Sequence, residues 1–363
     1  MATTKIYFTP GPSELYPTVA NHTRTALEDK IGSISHRSKQ FQELYAHTTT
    51  GLRKLLSLPD NFQILFLGSA TEIWERIIQN CVEKTSFHCV NGSFSKRFYE
   101  FSVELGKKAY KEEVLFGEGF DLASIGAIPA DAEVVCLTQN ETSSGVSMPV
   151  GDIAGFREKA PDALIFVDAV SSLPFPDLDY SKIDSMFFSV QKCFGLPAGL
   201  GVWILNDRCV EKAARLAAKG VHTGTYHTVS SLLEKAVANQ TPETPNVMNI
   251  YLLGKVIEDM LSKGIGAIRE ETVKKADLVY DYLIASEVFN PAVARADHRS
   301  FTTIVANTSV SSAEVNKALA PFDMQVGSGY GKYKDTQIRI ANFPAHSVEQ
   351  MTRLVSKLKE LFG

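Results

Sequence analysis

Short apolar runs alternate with amphipathic segments between residues 60 and 205, and this alternation limits the possible folds more than any other feature. The run FQILFL is followed by TEIWERIIQNCVEK, in which apolar residues recur at helical spacing. The later runs SFHCV, EVVCLT, ALIFVD, SMFFSV and GVWIL are largely apolar, as in strands that are covered on both faces. The sequence therefore predicts an α/β fold with a mostly parallel sheet covered by helices.

The last third of the chain has a different pattern, in which long helices and separated strands follow one another. NVMNIYLLGKVIEDMLSKG, IREETVKKADLVYDYLIAS and the terminal VEQMTRLVSKLKELF predict helices, and SFTTIVAN and TQIRIAN predict strands. Segregated helices and strands are typical of an α+β unit. We predict a large α/β domain over residues 16–254 and a smaller α+β domain made of residues 1–15 and 255–363.

Composition excludes several classes of protein. The chain has 363 residues, of which 44% are hydrophobic and 21% charged, and a net charge of −4 argues against binding to nucleic acid. Its five cysteines form no CxxC pair, so we expect reduced thiols, a cytoplasmic location and no metal site. The N-terminal MATTKIYFTPGPSELYP lacks the features of a signal peptide, and no apolar run approaches the ~18 residues of a membrane span.

Chemically useful side chains follow the predicted strands, at the sheet edge where open α/β folds bind ligands. The segment GSATE follows FQILFL and opens a helix, with Ser69 and Glu72 at the spacing of a capping box. Free N–H groups at such a helix start bind anions. The other strand ends carry an aromatic ring, a hydroxyl, a carboxylate, an amide and an amine, on Phe94, Thr142, Asp168, Gln191 and Lys192.

These groups together match the needs of pyridoxal phosphate. Its phosphate suits a helix N-terminus, its ring suits an aromatic face, and its phenolic oxygen suits a hydroxyl. Its pyridinium nitrogen needs a carboxylate, and its aldehyde needs a lysine for a Schiff base. Each residue alone has an ordinary explanation as a cap, a turn, a core ring or a snorkelling lysine. Their common position at one sheet edge favours a cofactor site.

Four segments then carry a resemblance to a known family. FTPGPSELYP, SISHRSKQF, SVQKCFGLPAG and TPETPNVMNIYLLGKVIEDM together resemble the class V, fold-type I pyridoxal-phosphate aminotransferases, and within them phosphoserine aminotransferase. The resemblance covers nearly the whole chain. It implies a homodimer with shared active sites, amino-acid and 2-oxo-acid substrates, and amino transfer between phosphoserine and 2-oxoglutarate in serine biosynthesis.

The resemblance also implies roles for individual residues. Lys192 and Asp168 would be catalytic, the first by binding the cofactor and moving the substrate α-proton, the second by pairing with the pyridinium nitrogen. Substrate would be bound by His36, Arg37 and Arg339. The residues implied to hold the cofactor are Ser69, Ala70, Thr71, Phe94, Thr142, Asp168, Gln191, Lys192 and, from the other subunit, Thr244.

Three features depart from the family pattern. Phe94 stands where a tryptophan is usual, and Glu243 stands where an asparagine precedes Thr-Pro. The segment GSGYGKYKDTQIR lacks a late His-Arg pair that phosphoserine aminotransferases carry, and its Lys332 and Lys334 offer point charges rather than planar forks. An alanine/serine–glyoxylate or serine–pyruvate aminotransferase of the same class is therefore the alternative.

Further alternatives are less well supported by the residues. A cysteine desulfurase needs a late nucleophilic cysteine, and none follows Cys209. A nicotinamide-dependent oxidoreductase needs a glycine motif that opens a βαβ unit, which GSGYGK does not do. A catalytically silent scaffold of the same fold is disfavoured by the presence of Asp168, Lys192 and Arg339. Residues 221–231, VHTGTYHTVSS, form either a mobile loop at the cleft or a surface connection, and we favour the surface connection.

Overall fold

Two larger β-sheets and one short ribbon organise residues 5–363, which are the residues that this computed structural model describes. The first four residues, included in the predicted small domain, lie outside the described part. The strands are β1 (Ile6–Phe8), β2 (Phe62–Leu67), β3 (Thr85–Val90), β4 (Lys108–Glu113), β5 (Val134–Thr138), β6 (Asn140–Glu141), β7 (Val146–Ser147), β8 (Leu164–Asp168), β9 (Ser185–Ser189), β10 (Gly201–Asn206), β11 (Phe289–Pro291), β12 (Thr303–Thr308), β13 (Met324–Ser328) and β14 (Gln337–Ala341).

The helices of the described part include all four that the sequence analysis predicts. They are α1 (Val19–Glu28), α2 (Lys39–Leu56), α3 (Ala70–Cys81), α4 (Ser93–Glu104), α5 (Val150–Lys159), α6 (Asp207–Ala218), α7 (Val229–Val237), α8 (Val247–Lys263), α9 (Ile265–Ala285), α10 (Ser312–Leu319) and α11 (Val348–Phe362). Gly264 separates the two longest C-terminal helices, with a φ of 86° that an L-residue rarely adopts. None of the helices within residues 5–363 combines the length and the apolar character that crossing a membrane requires.

The large sheet has the strand order β2-β10-β9-β8-β5-β3-β4. Only β10 runs antiparallel to its neighbours β2 and β9, while the other pairs are parallel. The predicted mostly parallel α/β sheet is therefore confirmed. The edge strand β4 was not predicted, because its sequence KAYKEE is largely polar and only partly buried.

Both faces of the large sheet are covered, which explains the unbroken apolar character of its strands. In β2, Ile64 and Phe66 pack into a cluster with residues of α2 and α8, whereas Leu65 and Leu67 pack into a second cluster with α3. Side chains alternate across a strand, so a strand with helices on both sides needs apolar residues at every position.

The small sheet has the order β1-β13-β14-β12-β11 and forms a third cluster with α9 and α11. Its edge strand β1 comes from the beginning of the chain and pairs in parallel with β13, with Ile6 opposite Met324. The division of the chain at residue 255 stays a prediction. Val256, Ile257 and Met260, which follow that position, pack in the first cluster of the large sheet.

Asp184 joins the strands that lead to the predicted catalytic residues. It lies in the connection between β8 and β9 and is only 1% exposed. Its carboxylate accepts hydrogen bonds from Ile165 N at 2.8 Å, Asn206 Nδ2 at 3.0 Å and Arg208 Nη1 at 2.9 Å, and it pairs with Arg157. One buried carboxylate thus links β8, β10 and two guanidinium groups.

We expect Asp184→Ala to lower the free energy of unfolding by about 3 kcal/mol, because it leaves the largely buried Arg157 guanidinium and buried N–H groups without their acceptor. Chemical denaturation at fixed protein concentration measures this loss. Asp179→Ala is the matched control, since Asp179 lies in the same connection but is exposed, and should cost about 1 kcal/mol or less. Equal losses in the two variants would contradict this role of Asp184.

Candidate active site

A cavity of about 220 Å³ opens where the strands of the large sheet end. The turn before α3, the start of α4 and the segment after β9 all contribute to its walls. The predicted cofactor residues that line this cavity are Ser69, Ala70, Thr71, Phe94, Thr142, Asp168, Gln191 and Lys192. Eight residues from five strand ends therefore meet at one place, as the sheet-edge argument expects.

The helix start at α3 forms one end of the cavity. Ser69 is the N-cap, and its hydroxyl accepts a hydrogen bond from Glu72 N at 3.1 Å. The Glu72 carboxylate reaches Gly68 N at 3.0 Å rather than the N–H of Ser69, so only half of the predicted capping box forms. Ala70 N donates to Ser189 Oγ at 3.0 Å, which holds the helix start against β9.

Gln191 contributes an unsatisfied polar group to the cavity wall. Within the described residues, its Oε1 atom is buried and has no hydrogen-bond partner. Buried side-chain polar atoms are almost always paired, so an unpaired one that lines a cavity indicates a ligand. The position next to Lys192 suits an amide that contacts a bound phosphate.

Asp168 is buried deep in the cavity and is held by two hydrogen bonds. Its Oδ2 atom accepts from Trp74 Nε1 at 2.9 Å, and its Oδ1 atom accepts from Val170 N at 3.0 Å. Burial raises the pKa of Asp168 to about 7, although both hydrogen bonds and the nearby Lys192 lower it. A cationic partner such as a pyridinium N–H would favour the ionised carboxylate.

Trp74 was missed as a site residue by sequence reasoning. In the sequence it belongs to the apolar stripe of α3, which is typical of a core residue. The available signal was the indole N–H, which needs an acceptor when it is buried. The ring stacks on Phe98 with a centroid separation of 5.7 Å, and this packing fixes the N–H toward Asp168.

Lys192 lies at the cavity wall, beneath a segment from the beginning of the chain. Its Nζ atom donates a hydrogen bond to Pro10 O at 2.5 Å. A Cβ atom at Gly11 would lie 1.9 Å from this Nζ, so any side chain there would displace the amine, and the φ of 151° also favours glycine. Pro10 and Gly11 were not predicted as site residues, and TPGP gives no local sign of such a contact.

The environment of Lys192 favours its neutral form. Burial, helped by the positive charge of Arg339, lowers the pKa of Lys192 to about 8, although Cys193 and Asp168 act in the opposite direction. At pH 7 roughly a tenth of the amine is then unprotonated, far more than for an ordinary lysine, and a proton-accepting or nucleophilic lysine requires this form.

Arg339 and Phe94 meet at the aromatic ring of Tyr330. Arg339 lies in β14, donates from Nε to Ser328 O at 2.8 Å, and has its guanidinium carbon 5.4 Å from the Tyr330 centroid. The Phe94 centroid lies 5.1 Å from the same ring. Burial lowers the pKa of Arg339 below its usual value, but an arginine remains cationic at neutral pH. Tyr330 thus links the predicted ring wall to the predicted carboxylate-binding residue.

Two hydrogen bonds fix the orientation of Thr142. Its hydroxyl donates to Ser171 Oγ at 2.7 Å, and its carbonyl accepts from Arg339 Nη1 at 3.4 Å. The neighbouring Glu141 is fully buried and accepts from Ser95 N at 2.8 Å, at the first turn of α4. This carboxylate was also missed by sequence reasoning, and it holds the helix start that carries Phe94.

Three predicted site residues form a separate group away from the cavity lining. His36 Nδ1 lies 3.4 Å from Thr244 Oγ1, and Arg37 donates to Thr241 O at 2.7 Å and to Pro242 O at 3.1 Å. None of His36, Arg37 and Thr244 is among the residues that line the cavity of the same chain. Their predicted contacts with cofactor and substrate stay predictions.

Comparison with known proteins decides the family. Residues 120–332, more than half of the chain, match the family described as aminotransferase class-V. The chain belongs to this family. The predictions of a pyridoxal-phosphate-dependent aminotransferase, with amino-acid and 2-oxo-acid substrates, are confirmed by this membership.

Individual class-V aminotransferases are similar over the whole chain. A crystal structure described as phosphoserine aminotransferase SerC from Cytophaga hutchinsonii is 67% identical, with a TM-score of 0.98 and 99% of each chain covered. The phosphoserine aminotransferase of a Nocardioides species is 28% identical over 96% of this chain and 94% of that relative. An aspartate aminotransferase structure from Thermus thermophilus, 21% identical with 98% of each chain covered, has a TM-score of 0.84 and shares the fold.

The pKa of Lys192 generates a stability prediction for the cofactor-free protein. The folded-state pKa of about 8 lies below the ordinary 10.5, so the unfolded chain binds more protons between these pH values. Stability therefore rises with pH across this window. We expect Lys192→Met to be more stable than the wild type by about 2 kcal/mol near pH 7, allowing for partial exposure of the amine.

This advantage of Lys192→Met should shrink as the pH rises from 8 toward 10.5. Urea denaturation of the cofactor-free proteins over this range measures the difference. Lys96→Met is the control for loss of a lysine, because Lys96 is exposed on α4. A Lys192→Met advantage that grows with pH would contradict the buried, neutral lysine.

Proposed function

We propose that this class-V aminotransferase transfers the amino group between phosphoserine and 2-oxoglutarate, as a cytoplasmic homodimer in serine biosynthesis. The observation that carries the proposal is the 67% identity, over 99% of both chains, to a structure described as a phosphoserine aminotransferase. Fold similarity alone would not carry it, because an aspartate aminotransferase has the same fold at 21% identity.

The cavity residues fit pyridoxal phosphate. Asp168 offers a buried carboxylate that lacks a cationic partner hydrogen-bonded to it, and Gln191 offers a buried amide oxygen without a partner among the described residues. Ser69 and the start of α3 provide the hydroxyl and N–H groups that hold a phosphate, while Thr142 provides a hydroxyl for the ring oxygen. When bound, the cofactor supplies an electron sink for charge that develops at the substrate α-carbon.

The protein residues then have distinct roles in the reaction. Lys192 removes the proton from the substrate α-carbon and returns it, which its low pKa allows near neutral pH. Asp168 keeps the proton on the ring nitrogen by its negative charge. Arg339 holds the substrate α-carboxylate through two parallel charged hydrogen bonds, and Tyr330 keeps the guanidinium in place.

The substrate phosphate needs cations that one subunit does not offer at the cavity. Among the described residues that line the cavity, Lys192 is the only lysine or arginine. His36 and Arg37 lie together on a segment that is anchored to the backbone of residues 241–242. We infer that this segment reaches the cavity of the second subunit and binds the phosphate there, together with Thr244 at the cofactor.

The substrate is tested by half-reactions of the cofactor-loaded enzyme with single amino donors. Phosphoserine and glutamate should each bleach the visible absorbance, while alanine and serine should leave it unchanged on the same time scale. With the Lys192→Ala protein, bleaching should be absent or much slower than in the wild type, because this variant lacks the group that moves the α-proton. Bleaching by alanine or serine but not by phosphoserine would instead support the alanine/serine–glyoxylate or serine–pyruvate alternative.

The shared active site is tested by mixing two inactive variants, Lys192→Ala and Arg37→Ala. If Arg37 acts in the other subunit, one site of each mixed dimer keeps both residues. Random reassembly should then restore about a quarter of the wild-type activity. If Arg37 acts in its own subunit, no mixed dimer contains an intact site. Mixing without any recovery, despite subunit exchange shown by mass-tagged chains, would contradict the shared site.

A further inference from the structure

His227 is buried between two carboxylates that come from distant parts of the chain. Its Nδ1 atom lies 2.5 Å from Glu72 Oε1 in α3, and its Nε2 atom lies 2.7 Å from Glu243 Oε2. The side chain is only 3% exposed. Ionised carboxylates can only accept hydrogen bonds, so both ring nitrogens must carry protons, and only the imidazolium form provides this.

The charges in this triad stabilise one another. Burial alone would lower the pKa of His227, but the hydrogen bonds to Glu243 and Glu72 raise it to about 9. Burial alone would raise the pKa of Glu72, but the hydrogen bond and charge of His227 contribute to lowering it. At neutral pH, the geometry therefore holds a cation between two anions.

The triad connects two segments that are predicted to hold a cofactor phosphate, the α3 start in its own subunit and the Thr244 segment in the other subunit. Glu72 is in the first turn of α3, and its second oxygen accepts from Gly68 N at 3.0 Å, directly before the Ser69 cap. Glu243 immediately precedes Thr244. Gly68, Glu72, His227, Glu243 and Thr244 line a second cavity of about 200 Å³. Without a proton on His227, the Glu72 carboxylate would repel an anion at the same helix start.

We propose that His227 is a positioning residue for the cofactor phosphate: it neutralises Glu72 at the helix start and fastens that turn to the segment that carries Thr244. The inference rests on the proposed function, because it assumes that pyridoxal phosphate binds at this helix start. It gives the segment 221–231 a role beyond that of a surface connection. It also explains a carboxylate at Glu243, where the family pattern has an asparagine.

Other ionisable groups around the triad must be separated from His227 in any pH experiment. Arg76 lies 3.5 Å from Glu72 and 3.8 Å from Glu75, and Tyr226 packs on His227 with ring centroids 4.0 Å apart. The charged or titratable groups beside His227 and its two carboxylates include His36, Arg37, Tyr45, Glu75, Arg76 and Tyr226.

The test compares the affinities of the cofactor-free protein for pyridoxal phosphate and for pyridoxal, which lacks the phosphate. The ratio of the two affinities reports on the phosphate end and cancels the titration of Lys192. Between about pH 7.5 and about pH 10, the ligand phosphate stays fully ionised, since its second pKa is about 6. We expect the wild-type ratio to fall by about fivefold or more as the pH rises through the His227 pKa.

His227→Gln should have the lower ratio already at about pH 7.5, with no further fall as the pH rises. His222→Gln is the matched control, since His222 is exposed on the same segment, and Tyr226→Phe controls for the phenol. Both controls should keep the wild-type ratio and its pH dependence.

A wild-type ratio that stays constant from about pH 7.5 to about pH 10 would overturn the proposal, whether or not His227→Gln folds. Equal losses of affinity for both ligands in His227→Gln would also overturn it, because they indicate a general structural role. A wild-type protein that binds neither ligand would overturn the proposed function itself, and this inference with it.

Discussion

Two ionisable groups of opposite sign are buried in one cavity, and burial disfavours the charged form of each. It raises the pKa of Asp168 to about 7 and lowers that of Lys192 to about 8. Both groups are therefore near their titration midpoints at neutral pH, where a ligand can set their protonation states at small cost. A rigid surrounding must keep water away from both, and the rest of the fold provides it.

The rigid surrounding is built from contacts that are remote from each other in the chain. Helices on both faces of the large sheet bury the strands that end at Asp168 and precede Lys192. At the opposite end of the sheet, Asp184 directly precedes β9 and accepts hydrogen bonds from Ile165 in β8 and Asn206 in β10. The N-terminal segment crosses from the small sheet to place Pro10 O on the lysine amine. Precise placement of the reactive groups therefore depends on both sheets.

These long-range contacts separate what the sequence predicts from what it does not. Strands, helices and the common sheet edge follow from local periodicity, so eight of the residues that line the cavity were predictable. Trp74, Pro10 and Gly11 were not, because their roles depend on which distant atom they meet after folding. His227 was not predicted for the same reason: VHTGTYHTVSS has no periodicity, and its partners lie at the distant positions 72 and 243.

The departures from the family pattern become understandable when each is placed beside its neighbours. Phe94 is a smaller ring than tryptophan, but Tyr330 packs on it and extends the aromatic wall toward Arg339. Glu243 adds a negative charge, but His227 supplies the matching cation.

In both cases the substituted residue lies against a second residue from another segment, and this pair keeps the local size or charge in balance. The missing His-Arg pair is different, since no guanidinium replaces it in residues 329–336. Lys332 and Lys334 keep positive charge in this segment, but as point charges. Under our proposal the planar guanidinium comes instead from Arg37, which lies with His36 outside the cavity of its own chain.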